Sequence, residues 1–368
     1  MAAEDMDRVT LVADGMEYGG WKSVEITAGI EQQARDFRLG VTWRWPGSGE
    51  APARIRHGSR CEVRIGPDLV LTGYAYATPI EYDARQITVG IAGRSLTSDL
   101  VDCSAARGQW RGQTVAAVVA ALAAPYGLSV VDQAGDGLTI ADHQTEPGET
   151  VFASIDRLLE QSALLSTDDA HGRVVLAALG SAGRATDAIE LGVNVLGASA
   201  PLDFSGVYST YECIGQQAGT DEAFGVEAAE VQSVAGDDRV DRYRNLTVQP
   251  QGQVSAAIAA KRAAWERESR MGRALATDYE LQGWRQSDGR LWLPNMFVPV
   301  RDPMIGFDRE MLIGRVVYTL NERGKRVSLR VAPPGAYSPE PKASKKQKKG
   351  NKGGDAFEYL LPADWDKS

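Results

Sequence analysis

The sequence predicts a mainly β protein of the α+β class, in which two β regions flank a small α/β insertion. The first and third parts of the chain carry short segments that alternate apolar and polar residues, which is typical of half-buried strands. Between residues 104 and 182 the apolar residues recur at helical spacing instead. Glycine is frequent at 39 residues and phenylalanine scarce at 7, a composition that suits many strands and turns.

The first β region, residues 8–100, contains explicit turn signals between short strand patterns. Asp14-Gly15 predicts a tight turn, and Gly66-Pro67-Asp68 predicts a hairpin. The predicted strands are Val9–Ala13, Trp21–Ile30, Phe37–Trp43, Cys61–Ile65, Leu69–Ala77 and Gln86–Ala92. Short strands at such close spacing favour a barrel or a sandwich over a parallel sheet.

The insertion, residues 104–182, combines two helices with short strands. Thr114 is a predicted N-cap, and the first helix after it buries Val115, Val118, Val119 and Leu122 on one face. The second helix begins after Thr150 and has an apolar face of Val151, Ile155, Leu158 and Leu159. The predicted strands are Leu128–Val131 and Arg173–Ala178.

The third region returns to β structure around one long helix, predicted from Gln253 to Arg273. On this helix Arg262, Glu266 and Arg270 are spaced to form two i,i+4 ion pairs. The predicted strands are Val207–Gly215, Tyr243–Val248, Ala274–Gly283, Trp292–Val300, Leu312–Leu320 and Lys325–Val331.

The C-terminal segment, residues 336–368, predicts a disordered tail. A Lys-rich linker, KASKKQKKGNKGG, is followed by a short apolar and acidic peptide that is too small to fold alone. We expect this peptide to dock on a partner or on a neighbouring subunit through its large side chains, Phe357, Tyr359, Leu360 and Trp365.

Composition excludes several function classes. The net charge of −9 and the pI of about 5.1 argue against a protein that binds a phosphate backbone. No apolar run approaches the roughly 20 residues of a membrane span, and the N-terminus lacks a signal-peptide layout, so we expect folding in a cytoplasm and no stable membrane insertion. The cysteines lie far apart with no CxxC pair, at Cys61, Cys103 and Cys213. We expect no metal, no cofactor and no catalytic residues.

Two carboxylate clusters keep an enzymatic alternative open. Asp168, Asp169 and His171 have the chemistry of metal ligands, although a polar turn before Gly172 is the simpler interpretation. Glu146 and Glu149 are candidates for the carboxylate pair of a glycosidase. The alternative function is therefore a peptidoglycan hydrolase, or a cell-wall-binding module, that uses residues 104–182.

The order of several separate motifs resembles the baseplate hub proteins of Mu-like contractile-tailed bacteriophages, the tail or late-control hub family. The resemblance covers about residues 8–335. It rests mainly on WKSVEITAGIEQQARDFRLGV (21–41), VGIAGRSLTSDLVDCS (89–104), DDRVDRYRNLTV (237–248), KRAAWERESRMGRA (261–274), LQGWRQSDGRLWLPNMFVPV (281–300) and LIGRVVYTLNERGKRVSLRV (312–331).

This resemblance implies a homotrimer whose subunits each carry two antiparallel β-barrel domains of the tail-tube type. The implied ring is pseudo-sixfold and joins a hexameric tail tube to a trimeric central spike, with tape-measure and wedge proteins as further partners. The implied location is the tail baseplate of the virion, after assembly in the host cytoplasm. The resulting domain limits are residues 1–103 with a returning strand at 183–202, residues 104–182, residues 203–335 with a helix at 253–273, and residues 336–368.

A hub implies two further expectations about surfaces. DNA passes through the ring during ejection, so we expect acidic residues to line the bore, where they hold the polyanion loosely. Contacts between subunits are expected from apolar strand faces, paired sheet edges and large side chains. The candidate interface residues are Trp21, Arg262, Trp265 and Glu266, together with Phe357, Tyr359, Leu360 and Trp365 of the terminal peptide.

Overall fold

The computed structural model describes residues 6–44, 55–82, 86–135, 137–159, 164–216, 230–250 and 254–341. The strands are β1 (Val9–Ala13), β2 (Met16–Tyr18), β3 (Ser23–Gly29), β4 (Asp36–Arg44), β5 (Arg60–Ile65), β6 (Asp68–Ala77), β7 (Ile80–Tyr82), β8 (Gln86–Ser95), β9 (Gln109–Arg111), β10 (Val130–Asp132), β11 (Asp142–Gln144), β12 (Leu165–Asp168), β13 (Val174–Ala177), β14 (Ile189–Glu190), β15 (Val195–Ser199), β16 (Thr210–Gln216), β17 (Glu230–Gly236), β18 (Asn245–Val248), β19 (Thr277–Gln282), β20 (Phe297–Asp302), β21 (Phe307–Asn321) and β22 (Gly324–Ala332). The helices are α1 (Ser98–Asp102), α2 (Val115–Ala123), α3 (Val151–Leu159) and α4 (Ala256–Ala274), with 3₁₀ turns at Ala124–Tyr126 and Pro334–Tyr337.

One large sheet dominates the fold and confirms the mainly β class. Fourteen strands belong to it, and its main path runs β15-β19-β22-β21-β3-β4-β8-β6-β5-β1-β2. Nearly all its neighbours are antiparallel; β14 and β20 form the parallel exception. The path joins the first and third regions of the chain because β21 pairs with β3, where Val316 lies opposite Ala28.

The core follows the sheet across both regions. Inward-facing side chains of β1, β3 and β5 share one apolar cluster with those of β19, β21 and β22. Trp284 and Tyr318 pack edge to face within it, with ring centroids 6.4 Å apart. The expectation of two separate barrels therefore needs correction, because the described strands pair across the two regions and close neither into a barrel of its own. By pairing, β3 and β21 satisfy backbone hydrogen-bonding groups that would otherwise lie at an open sheet edge.

The segment predicted to return to the first region pairs elsewhere. β14 pairs with β20, and β15 pairs antiparallel with β19, so residues 183–202 extend the sheet on the side of the third region. Neither strand pairs with a strand of the first region among the described residues, and the assignment of residues 183–202 to the first domain stays a prediction. These strands are short, with two and five residues, and carry no pattern that selects a partner.

The insertion forms a small unit with its own core, as predicted. Thr114 caps α2 by accepting a hydrogen bond from the backbone N–H of Ala117 at 3.3 Å. The predicted apolar faces of α2 and α3 are buried together against β13. Two small sheets complete the unit, β10-β13-β12 and β11-β9. The sequence pattern did not predict α1, β9, β11 or β12.

A buried ion pair joins the insertion to the large sheet. Asp168, the last residue of β12, accepts hydrogen bonds from the Arg35 backbone N–H and from its Nε, each at 3.1 Å. Arg35 also donates to the backbone carbonyls of Asp168 and Val70. The Asp168 side chain is only 1% exposed. Burial raises the pKa of Asp168, and the guanidinium of Arg35 acts against that rise.

The third region divides into two parts, whereas one β domain was predicted over residues 203–335. β16, β17 and β18 form a separate three-stranded sheet. This sheet packs on α4 through Cys213, Val231, Ala259 and Ala263. Only the later strands, β19 to β22, join the large sheet. The division depends on which strands pair over long distances in the sequence, which the local sequence pattern does not show.

Candidate subunit and partner interfaces

The two predicted ion pairs on α4 are formed and buried. Glu266 accepts hydrogen bonds from Arg262 Nη2 at 2.7 Å and from Arg270 Nε at 2.6 Å. Burial acts to raise the pKa of Glu266, but the hydrogen bonds from Arg270 and Arg262 outweigh it and hold the pKa below its ordinary value of 4.5. The Glu266 side chain is 5% exposed, so it contributes to the packing of this helix within the chain.

Trp265 and Arg262 hold the chain that follows β22 against α4. Trp265 Nε1 donates a hydrogen bond to the carbonyl of Ser338 at 2.8 Å, and Arg262 forms an ion pair with Glu340. The Arg262 guanidinium also lies 4.8 Å from the centroid of the Trp265 ring. These candidate interface residues therefore make contacts within the subunit, and an additional role between subunits stays a prediction.

The other candidate interface residues are Trp21 and four residues of the terminal peptide. Trp21 is half-buried and packs against the large core. Its Nε1 is buried and has no hydrogen-bond partner in the described part of the chain. The side chains of the terminal peptide, Phe357, Tyr359, Leu360 and Trp365, lie outside the described residues.

Glu146 and Glu149, the carboxylate pair of the enzymatic alternative, make hydrogen bonds and an ion pair that hold the turn before α3. Glu149 Oε1 accepts hydrogen bonds from the Glu146 backbone N–H at 2.6 Å and from Arg157 Nη2 at 2.8 Å. Burial acts to raise the pKa of Glu149, but these donors outweigh it and lower the pKa. A glycosidase general acid needs a raised pKa, so the electrostatics of Glu149 oppose that role.

The cluster before Gly172 is a turn, as the simpler interpretation predicts. Asp169 Oδ1 accepts hydrogen bonds from the backbone N–H groups of His171 and Arg173, both at 3.0 Å. Across the described residues, no group of three or more His, Cys, Asp or Glu side chains is arranged to hold a metal ion. No helix in the same residues is long and apolar enough to cross a membrane.

An apolar depression lies where the large sheet ends. β15 is the terminal strand of the sheet and has β19 as its neighbour. Leu191, Leu196 and Met304 line the depression and expose 41%, 49% and 84% of their surfaces. We call this surface the β15 edge patch; it also includes Val195, Leu202 and Ile305. Sequence reasoning missed it because its residues come together only when β15 and the end of β20 are neighbours.

A second surface depression, the arginine groove, has a volume of 620 Å³. Its apolar residues are Phe204, Val207, Val240, Met271 and Leu275. Its charged residues are Arg239, Asp241, Arg242, Arg244 and Arg309. The run DDRVDRYRNLTV supplies three of these four arginines. Its closely spaced arginines are the sequence feature that could have indicated a positively charged surface.

Comparison with known protein families gives three matches that together span most of the chain. Residues 8–95 match the family described as "Mu phage baseplate assembly protein GpP-like, N-terminal". Residues 97–178 match "Baseplate hub protein gp44-like, second domain", and residues 255–340 match "Mu phage baseplate assembly protein GpP, fourth domain". These matches define a phage baseplate protein.

The family follows from a full-length relative. The chain is 31% identical over 372 residues to the baseplate hub protein gp44 of Escherichia phage Mu, an alignment that covers 96% of this chain and 95% of that protein. The chain therefore belongs to the Mu gp44 family of baseplate hub proteins. The resemblance in its sequence motifs is confirmed, and the protein is a structural baseplate hub of a contractile phage tail.

Solved structures show the same fold. A 43 kDa tail protein from prophage MuSo2 of Shewanella oneidensis matches with a TM-score of 0.81 and 30% identity, over 90% of this chain and 99% of that one. A tail protein from Neisseria meningitidis MC58 matches with a TM-score of 0.74 and 22% identity, over 90% of this chain and 98% of that one.

Proposed function

We propose that this hub acts as a homotrimeric ring that joins the hexameric tail tube to the trimeric central spike and provides the channel for DNA ejection. Membership in the gp44 baseplate hub family supports the proposal. The observation that carries it is the β15 edge patch, because a terminal strand beside an exposed apolar surface is a ready site for association.

The large sheet suits a ring of this kind. A three-fold ring needs a heterologous interface, in which one edge of a subunit meets a different edge of the next. The main path of the sheet ends at β15 on one side and at β2 on the other. In the proposed ring, the β15 edge of each subunit pairs with the β2 edge of the next, so that three sheets join into one closed sheet. Within one subunit, the described strands leave both of these edges without a partner.

The pseudo-sixfold character comes from the two β regions of each subunit. Each region contributes several strands to the same sheet, and β3 and β21 meet at its middle. Three copies of such a sheet present six related segments, which match a hexameric tube on one side and a trimeric spike on the other. The tape-measure and wedge proteins are proposed as further partners.

The proposed bore is acidic and the proposed hub is not an enzyme. The net charge of −9 is in keeping with a wall along which DNA slides without being held. The lowered pKa of Glu149 supports a purely structural insertion over a peptidoglycan hydrolase. A zymogram on bacterial cell walls tests this point, and a clearing band from the purified chain contradicts it.

Sedimentation of a Leu196→Arg variant tests the trimer. The substitution places a charge in the β15 edge patch, and we expect association to weaken at least about 100-fold because burying an unpaired charge is costly. The wild-type chain is expected to sediment as a trimer at micromolar concentration. Val234→Arg is the control, since Val234 is 56% exposed on the separate three-stranded sheet. A trimeric Leu196→Arg variant, or a wild-type chain that stays monomeric with tube and spike proteins present, contradicts the proposal.

A further inference from the structure

The arginine groove combines an apolar floor with a positively charged rim. Val207 and Met271 at its floor are 1% and 8% exposed, while Phe204 at its side remains 43% exposed. Four arginines line it against a single carboxylate, Asp241. An occupant that matches this surface carries large apolar side chains and several negative charges.

Among the described residues, one of the four groove arginines, Arg239, has carboxylate partners, and the other three have none. Arg239 is held by Asp237 at 2.6 Å, and Arg244 lies over the Tyr208 ring. Arg242 and Arg309 are exposed, and neither has an ion-pair partner among the residues that the structure describes, although the Arg309 guanidinium lies 5.8 Å from the centroid of the Phe307 ring. Their positive charges are therefore available to a ligand.

We infer that the arginine groove binds the C-terminal peptide of the same chain, residues 355–368. The peptide, DAFEYLLPADWDKS, contains Asp355, Glu358, Asp364 and Asp366 among the apolar residues Phe357, Tyr359, Leu360, Leu361 and Trp365. It is thus complementary to the groove in both charge and hydrophobicity. In this peptide the carboxylates alternate with large apolar side chains, and a long Lys- and Gly-rich linker connects it to the rest of the chain.

The length of the linker agrees with docking on the same subunit. Glu340 contacts Arg262 in α4, and the groove begins at Met271, farther along the same helix. At about 1.5 Å per residue, this separation of nine residues is about 14 Å along the helix axis. Residues 342–354 are rich in Lys and Gly, and a flexible chain of that length has a root-mean-square span of about 20 Å. A linker whose length matches the distance that it spans gives the peptide a high effective concentration at the groove. A weak contact is then sufficient to keep the peptide bound.

Photo-crosslinking in the full-length chain tests the inference. Benzoylphenylalanine replaces Tyr359, and crosslinked peptides are mapped by mass spectrometry. We expect crosslinks to the segments that contain Phe204, Val240 and Met271. In an equal mixture of ¹⁴N- and ¹⁵N-labelled protein, we expect the crosslinked pairs to carry a single label.

Charge reversal provides the matched comparison. Arg242→Glu together with Arg309→Glu is expected to lower the crosslink yield about tenfold, because two attractive contacts become repulsive. Glu358→Arg with Asp364→Arg in the same protein is expected to restore the yield, which a loss of folding cannot do. Arg323→Glu, at an exposed turn outside the groove, is the control.

Three outcomes overturn the inference. Crosslinks that map outside the groove mean that the peptide docks elsewhere. A yield unchanged by the double reversal means that the rim arginines do not recognise the peptide. Crosslinks found only between differently labelled chains mean that the occupant belongs to another subunit, and they refute docking on the same chain.

Discussion

The junction between the insertion and the large sheet depends on the buried pair Arg35–Asp168. Replacing Asp168 by Asn keeps the shape of the side chain and removes its charge. Arg35 is only 11% exposed, so its guanidinium then remains buried without a counter-charge. We expect Asp168→Asn to lower the free energy of unfolding by about 3–5 kcal/mol, roughly a hundredfold to several thousandfold in the equilibrium constant.

A matched exposed pair sets the scale for this effect. Glu25 and Arg38 lie 3.1 Å apart, the same distance as the junction pair, but expose 44% and 72% of their side chains. Glu25→Gln is therefore expected to cost about 0–1 kcal/mol, because water screens the pair and solvates the remaining charge. The comparison isolates burial, since both substitutions remove one carboxylate charge.

Urea unfolding and native-state hydrogen exchange measure the two variants. The exchange experiment shows whether the loss is concentrated at the junction, where Gln33 also donates to the carbonyl of Thr167 at 3.1 Å and Thr72 donates to that of Ala170 at 2.9 Å. A double-mutant cycle with Arg35→Met gives the coupling energy. A loss below about 1 kcal/mol for Asp168→Asn, equal to that of Glu25→Gln, refutes the reasoning.

The remaining predictions concern α4, the sheet and α2. Because the pKa of Glu266 in the folded chain lies below 4.5, its contribution to stability is complete above that pH and is lost as the pH falls through the lower folded value. Glu266→Gln is therefore expected to flatten the dependence of urea midpoints on pH as the pH falls below about 5, and an unchanged slope contradicts this. Gly73→Ala is expected to cost at least about 1–3 kcal/mol, because a Cβ there meets the carbonyl oxygen of Arg94, whereas Gly236→Ala, with open space, serves as the control. Thr114→Ala removes the cap of α2 and is expected to cost about 1 kcal/mol by thermal unfolding; no measurable change argues against the capping contact.

Much of the local structure follows from the sequence because its signals are short-range. α2 begins after Thr114 and ends near Gly127, where the cap and the helix breaker predict it. The apolar spacing of α3 and the i,i+4 pairs around Glu266 are likewise local and are found as expected. Strand β1 has the predicted bounds because its alternation and the Asp14-Gly15 turn act within a few residues.

The candidate surfaces were less accessible to sequence reasoning. Trp265 and Arg262 are interface candidates from the sequence, but the chain after β22 contacts both of them. Leu196 and Met304 are far apart in sequence and carry no shared motif, although together they form the β15 edge patch. Exposure of a side chain depends on which distant element packs beside it.

The amino-acid sequence by itself determined the three longer helices, α2, α3 and α4, most strands, the family and the presence of an α/β insertion between two β regions. These properties depend on periodicity, caps and turns, which are set by interactions between residues close together in the sequence. Only the tertiary structure decided that β3 and β21 pair, that β15 lies at the end of the sheet, and that Asp168 pairs with Arg35. Strand edges offer similar hydrogen bonds to any partner, so the choice among them is made by burial of a common core over the whole chain.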